Sequence, residues 1–197
     1  MIVYHYSQTL REPDVPEPGH QNLMALCEPF IQALEYSRDC FYGMLLSGKY
    51  LYAVMDRSNM REWSDYAKWA TEGVFEYIRK KEFPQCISRL HCIYFCAGLS
   101  DCIRAFEEDW GEETEEERAK VHLFEAEVPD SCLEMRDIAL FDAAYDAIAD
   151  RQDLDTAAGC ARRYYAGEHG AEPKWECLST ARALAVRDIS SLLPGRN

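Results

Sequence analysis

Basic residues are scarce in this chain: 21 lysines and arginines stand against 35 aspartates and glutamates, for a net charge of −14. A protein with that field repels nucleic-acid phosphates unless a local basic patch reverses it. No dense basic run is present. Arg79-Lys80-Lys81 and Arg162-Arg163 come nearest, and both read as helix-end or surface charges. Nucleic acid therefore ranks low as a partner, and the acidity favours a basic or neutral protein partner. Long hydrophobic runs are also missing, since none approaches the ~18 apolar residues of a membrane span. No signal peptide is legible, because Met1 leads straight into a mixed aromatic and polar strand. The expected location is cytoplasmic, with delivery into another cell left open.

Other absences narrow the chemistry. The chain has no P-loop, no G-x-G-x-x-G and no G-x-S-x-G. Ten glycines and eight prolines are too few for a fibrous or low-complexity protein. The nine cysteines are odd in number and lack C-x-x-C spacing. Many sit in apolar runs (Cys27, Cys92, Cys96, Cys102), as reduced core thiols of a cytosolic protein do. His91, Cys92 and Cys96 are close in sequence. His91 and Cys92 point to opposite faces of a strand, however, and no second ligand pair completes a tetrahedral zinc site. No metal is expected. A Cys–His nucleophile pair stays open.

What is present is a core. Hydrophobic residues make up 48% and aromatics 12% of 197 residues, enough for one globular domain. Residues 1–7 alternate as a strand, with Ile2, Tyr4 and Tyr6 on one face and Val3, His5 and Ser7 on the other. Pro13, Pro16, Pro18 and Gly19 make a loop. From about residue 21 the period becomes helical, through Leu23, Cys27, Phe30, Ile31, Leu34 and Phe41. A second amphipathic stretch runs from about Arg61 to Lys81 and ends before Pro84.

Residues 89–96 read as a buried strand, followed by a short helix opened by Gly98 and Ser100. The acidic stretch Glu107–Arg118 reads as a solvated loop and helix start. Val121–Val128 reads as a strand, and helices are expected around 138–150 and 155–166. Trp175–Thr180 and Leu184–Ile189 read as two strands joined by a tight connection. The expected fold class is α+β, one domain over 1–197 with a helical insertion at about 21–82.

Three segments far apart in sequence carry the chemistry: Tyr4-His5-Tyr6-Ser7, Ile93-Tyr94-Phe95 and Trp175-Glu176-Cys177. The run Cys92-Ile93-Tyr94-Phe95-Cys96-Ala97, with Ser100 and Phe106 after it, resembles the ADP-ribosyltransferase superfamily. The likeness is to the His-Tyr-Glu branch related to diphtheria toxin and the poly(ADP-ribose) polymerases, and to its small bacterial and phage members. In that family the strand ends in a Gly-Ile-Tyr-Phe-Ala-like run; Cys92 replaces the usual glycine. The resemblance implies that Tyr94 stacks on the nicotinamide of NAD. It gives His5 the role of hydrogen-bonding a ribose hydroxyl, and Glu176 that of binding the ribose beside the scissile bond. It also implies a split antiparallel sheet.

The physical logic is that of glycoside cleavage. Breaking the nicotinamide–ribose bond passes through an oxocarbenium-like state. A carboxylate such as Glu176 stabilises that charge and can polarise the acceptor hydroxyl. Tyr94 clamps the flat ring, with Phe106 completing a sandwich. His5 positions the ribose. Ser7 helps, and Arg89 pairs a pyrophosphate oxygen. The expected activity is mono-ADP-ribosyl transfer from NAD to a macromolecule, most simply a protein, by an effector or toxin. The rivals are an NAD glycohydrolase, transfer to a nucleic-acid end, and a non-enzymatic acidic inhibitor of a partner's basic surface, such as a phage anti-defence protein. RNA 2'-phosphotransferase relatives use several arginines, a pattern not evident here.

Overall fold

Alternation of apolar residues at a period of two, then of three to four, sorts the chain into strands and helices. The computed structural model describes residues 1–12, 14, 16–18, 23–46, 63–151 and 153–195. In chain order its elements are β1 (Ile2–Ser7), α1 (Leu23–Tyr36), α2 (Arg38–Leu46), α3 (Trp63–Glu82), β2 (Ile93–Cys96), α4 (Leu99–Trp110), α5 (Glu115–Arg118), β3 (His122–Glu127), β4 (Leu133–Asp137), α6 (Ala139–Arg151), α7 (Leu154–Tyr165), β5 (Trp175–Ser179) and β6 (Ala185–Asp188). The protein is α+β, with a six-stranded antiparallel sheet and seven helices among the described residues.

The chain divides into two compact units. One comprises residues 1–20, 92–136 and 174–197 and carries the sheet; the other comprises 21–91 and 137–173 and is helical. The helical unit therefore has a second segment beyond the insertion expected at about 21–82. Of that insertion, residues 47–62 and the expected helix start at 61 fall outside the described residues.

In the sheet unit the strand order is β4-β5-β2-β1-β3-β6. β1 is central and pairs antiparallel with β3 along its whole length, from Ile2↔Glu127 to Ser7↔His122. Its register with β2 is a single pair, Tyr4↔Cys96. Paired side chains share a face. One face therefore gathers Val3, Ile93, Phe95, Ala126 and Cys177 into a dry cluster. The other presents Tyr4, Tyr6, Cys96 and Leu123 to Cys102 and Phe106 of α4. The alternation read for residues 1–7 holds.

Three sequence expectations change. The strand expected over 89–96 starts only at Ile93; residues Arg89–His91 form a 3-10 turn. Ser88 fixes that turn, accepting from Leu90 N through its hydroxyl and from His91 N through its carbonyl. β4 was not foreseen. It is an edge strand of sequence LEMRD, too charged and short to stand out by pattern.

The tight connection between β5 and β6 is not a hairpin, because β2, β1 and β3 lie between them. Four strand spacings are about 19 Å. The link from Ser179 to Ala185 reaches about 20 Å only if fully extended. It is not fully extended, since Ala181 N turns back onto Ser179 Oγ. The sheet must therefore curl to bring the two strands within reach. Ala183 of the link is buried against Val3 and Phe95, so the link crosses that face.

In the helical unit α1 packs against α3 at Gly73, whose missing Cβ would sit 2.8 Å from Phe30 Cβ. In α7, Gly159 has nothing within 4 Å of the same position. Alanine is better than glycine in a helix by about 1 kcal/mol. Gly159→Ala should therefore raise the denaturation midpoint, whereas Gly73→Ala should lower it, both read by urea melts. A stabilised Gly73→Ala would contradict the close helix contact.

Candidate functional site

The sheet brings together the three segments that were separate in sequence. His5 lies on β1, Tyr94 on β2 and Glu176 on β5, and these strands are consecutive neighbours in the sheet. Glu176 pairs with Cys96, and Cys96 pairs with Tyr4, the residue before His5. Two strand spacings, about 10 Å, therefore separate the Glu176 backbone from that of β1. Tyr94 and Glu176 share a face, since both share the parity of Cys96. Glu176 is only 6% exposed. A carboxylate held away from water exerts a stronger field on its neighbours than one in solvent.

His5 differs from the other two. Its strand parity is that of Val3, and its ring meets Phe95 edge-on at 5.8 Å. Its Nδ1 lies 3.0 Å from the Tyr94 carbonyl oxygen. That bond forms just past the point where the β1–β2 ladder ends, so the imidazole occupies the seam between the strands. It does not stand beside Glu176 on the Tyr94 face.

The supporting residues fall elsewhere. Ser7 Oγ accepts from Thr9 N and Leu10 N, which commits it to the turn after β1. Phe106 is 1% exposed in the core beneath Tyr6 and Arg118, so it cannot offer a face to a ligand. The sandwich role expected for it is withdrawn. Arg89 is 4% exposed and belongs to the helical unit. Its guanidinium pairs with Glu72, donates to Tyr164 Oη at 2.9 Å and lies 4.3 Å from the Phe141 ring centre. It is an internal tie and does not pair a pyrophosphate.

Sequence reasoning missed a further constellation. His122 Nδ1 of β3 lies 2.9 Å from Asp188 Oδ2 of β6. Asp188 Oδ1 accepts from Ser190 N at 2.8 Å and from Ser190 Oγ. Ser190 Oγ in turn accepts from Leu123 N at 3.0 Å. Both strands were foreseen, but nothing in the sequence links residues 122 and 188. Desolvation alone would raise the Asp188 carboxyl; the hydrogen bonds from Ser190 and His122 outweigh it and hold the group below its ordinary value. Nearby, the Tyr6 phenol donates to Asp109. Burial first, then that carboxylate, push its pKa far up.

A family model described as "Protein of unknown function (DUF2441)" matches residues 46–191. The chain belongs to the DUF2441 family. No curated protein matches it. The matched span contains Tyr94, His122, Glu176 and Asp188, and β1 with His5 lies before it.

Several thiols of this DUF2441 chain are unsuited to a nucleophilic role. Burial pushes Cys27 and Cys160 up, and Cys177 up to about 11. Cys102 is raised by its contact with Cys96 and then by burial. A thiol held neutral is a poor nucleophile. No group of three metal-ligating side chains occurs among the described residues. No described helix is long and apolar enough to cross a membrane.

Two outcomes are expected from this geometry. The folded Asp188 pKa lies below the unfolded one, so its stabilisation is present above about pH 4 and is lost as pH falls through the folded value. Amide exchange at Leu123 and Ser190, corrected for the intrinsic rate, should rise on acidification in the wild type. In Asp188→Asn it should already be fast at neutral pH and change little. Separately, Glu72→Ala leaves Arg89 buried without its partner and should cost about 3–5 kcal/mol. The paired change Glu72→Leu with Arg89→Met should cost far less in thermal melts.

Proposed function

We propose that this DUF2441 protein cleaves NAD at the nicotinamide–ribose bond and transfers ADP-ribose to a protein, on an ADP-ribosyltransferase-like fold. The observation that supports the reading is the direct pairing of β2 with β5, which brings Tyr94 and Glu176 from distant parts of the sequence to one face of the sheet. The Tyr-Phe run on β2 and the Trp-Glu-Cys run on β5 are directly paired, with Phe95 opposite Cys177. Tyr94 and Glu176 therefore arrive on one face in fixed register.

The roles follow from charge and shape. As the bond to nicotinamide breaks, positive charge develops on the ribose, and a carboxylate fixed nearby lowers that barrier. Glu176 supplies the carboxylate, and its burial preserves the strength of its field. Tyr94 offers a ring for the flat nicotinamide. His5 lies on the opposite parity, so the ribose-binding role expected for it is withdrawn; its hydrogen bond to the Tyr94 carbonyl steadies the β2 backbone that carries Tyr94. With Phe106 in the core and Arg89 tied to Glu72, neither takes part. The cofactor-like dinucleotide carries the reactive bond, and the protein contributes position and field.

Acceptor choice follows the charge. The surface carries Glu107, Glu108, Asp109, Glu112, Glu113, Glu115, Glu116 and Glu117 within α4, α5 and the turn between them. Such a field draws a basic protein and repels nucleic acid.

The test is incubation of the full chain with NAD labelled in the adenosine half and a panel of basic proteins. Labelled protein and free nicotinamide are expected from the wild type, with Glu176→Gln slowed by a factor of 10² or more, the order lost with one electrostatic group. Nicotinamide release without labelled protein would make the chain an NAD glycohydrolase. No release and no calorimetric binding of NAD, with stoichiometric capture of a basic protein, would replace the enzyme by an acidic inhibitor. Equal rates in wild type and Glu176→Gln would remove Glu176 from the mechanism.

A further inference from the structure

Two thiols of the sheet unit lie in contact on the face that carries Tyr94 and Glu176. Cys96 ends β2, and Cys102 sits at the start of α4, where its N–H donates to Gly98 O at 3.0 Å. That first turn folds Cys102 back over the strand end, so both side chains join the cluster formed with Phe106, Tyr4 and Tyr6. Cys102 is fully buried, whereas Cys96 is half-buried. The two sulfurs are within hydrogen-bond reach: Cys102 is held neutral first by Cys96 and then by burial. Cys102 therefore donates its S–H, and Cys96 accepts. The Tyr6 phenol, raised first by burial and next by Asp109, also feels both sulfurs. Cys177 differs. Its register partner is Phe95, and it lies in the dry cluster on the opposite face.

The two sulfurs differ in reach, and that sets an order of reaction. A reagent from solvent meets Cys96 first. Attack of its sulfur on hydrogen peroxide forms an S–O bond and breaks the O–O bond, and the departing oxygen takes the Cys96 proton and leaves as water. Cys102 then attacks the sulfenic sulfur. An S–S bond forms, the S–O bond breaks, and the hydroxyl leaves as water with the Cys102 proton. The two thiols give up two electrons, and the peroxide takes them. A thiol held neutral is a poor nucleophile toward a reagent in solution. Toward Cys96 it needs no encounter, because the partner sulfur is already in contact. Only residues 97–101 separate the two cysteines. Closing so small a loop removes little entropy from the unfolded chain, so a disulfide here adds little stability and is easily reversed.

We propose that Cys96 and Cys102 form a reversible redox pair: a hydroperoxide converts them to a disulfide that ties α4 covalently to β2, and a thiol reductant releases it. The pair stands apart from the NAD-cleaving reading. Its position gives it a neighbour to act on, because Cys96 is the direct register partner of Glu176 on one face. Side chains of such a pair lie about 5 Å apart at Cβ.

The test needs no NAD. The full native chain is treated with hydrogen peroxide, then digested without reductant after Leu99 or before Asp101, which lie between the two cysteines. The expected product is a linked Cys96–Cys102 peptide, two hydrogens lighter than the separate thiol peptides, which dithiothreitol returns to its parts. Amide exchange along α4 should slow in the oxidised protein. In Cys102→Ser the Cys96 sulfenic acid has no partner thiol, and its capture by dimedone should rise about tenfold or more over wild type. Cys96→Ser should leave Cys102 unoxidised until the chain is unfolded in urea. The wild-type digest uses no variant, so it decides even where a variant fails to fold. The proposal is overturned if Cys96 of the native chain goes on to sulfinic acid while Cys102 stays a free thiol. It is equally overturned if the first disulfide joins other cysteines, or if the native chain stays reduced at peroxide concentrations that oxidise the unfolded one. None of these outcomes bears on Glu176 or on NAD cleavage.

Discussion

The structure of the sheet unit depends on β1 being paired on both sides. β1 gives its full length to β3 and only one register pair to β2. Val3 is fully buried at its centre. Next to Tyr4↔Cys96 the His5 imidazole adds a side-chain tie between the two strands by bonding the Tyr94 carbonyl. A carbonyl oxygen only accepts, so the imidazole donates through Nδ1. The histidine position that looks chemically meaningful in the sequence is thus also explained by the geometry of the seam.

The two faces of the sheet do different work. The Tyr4–Tyr6–Cys96 face is covered by α4, with Cys102 and Phe106 as its buried contacts. Glu176 and Tyr94 share that parity, and Glu176 is buried, so the candidate carboxylate is held away from water. The Val3–Phe95 face is crossed by the link before β6, and Ala183 is buried there. The curl this link requires is a property of strand order and chain length together. No local sequence signal encodes it.

The helical unit shows why Arg89 misleads a reader of the sequence. An arginine just before a strand that resembles a dinucleotide-binding element looks like a phosphate ligand. Here it is stacked among aromatic rings and paired to Glu72, seventeen residues earlier in the chain. Arginine suits such a place because its flat guanidinium can stack and fork at once. Phe106 misled in the same way: an aromatic at helical spacing is more often core than a ligand platform, and this one is core.

The sequence by itself determined the elements whose signal is local. Alternation marked β1 and the short β2, helical periodicity marked α1, α3, α6 and α7, and composition put the thiols inside. It also made the strand-borne Tyr94 and Glu176 visible. Only the tertiary structure decided which strands are neighbours, that β5 and β6 do not form a hairpin, and that His122 meets Asp188. Pattern along a chain reports which face a residue takes within its own element. Which element that face meets depends on long-range pairing, set by loop lengths and by the joint burial of distant residues. That is why two strands could be read correctly while the network between them stayed invisible.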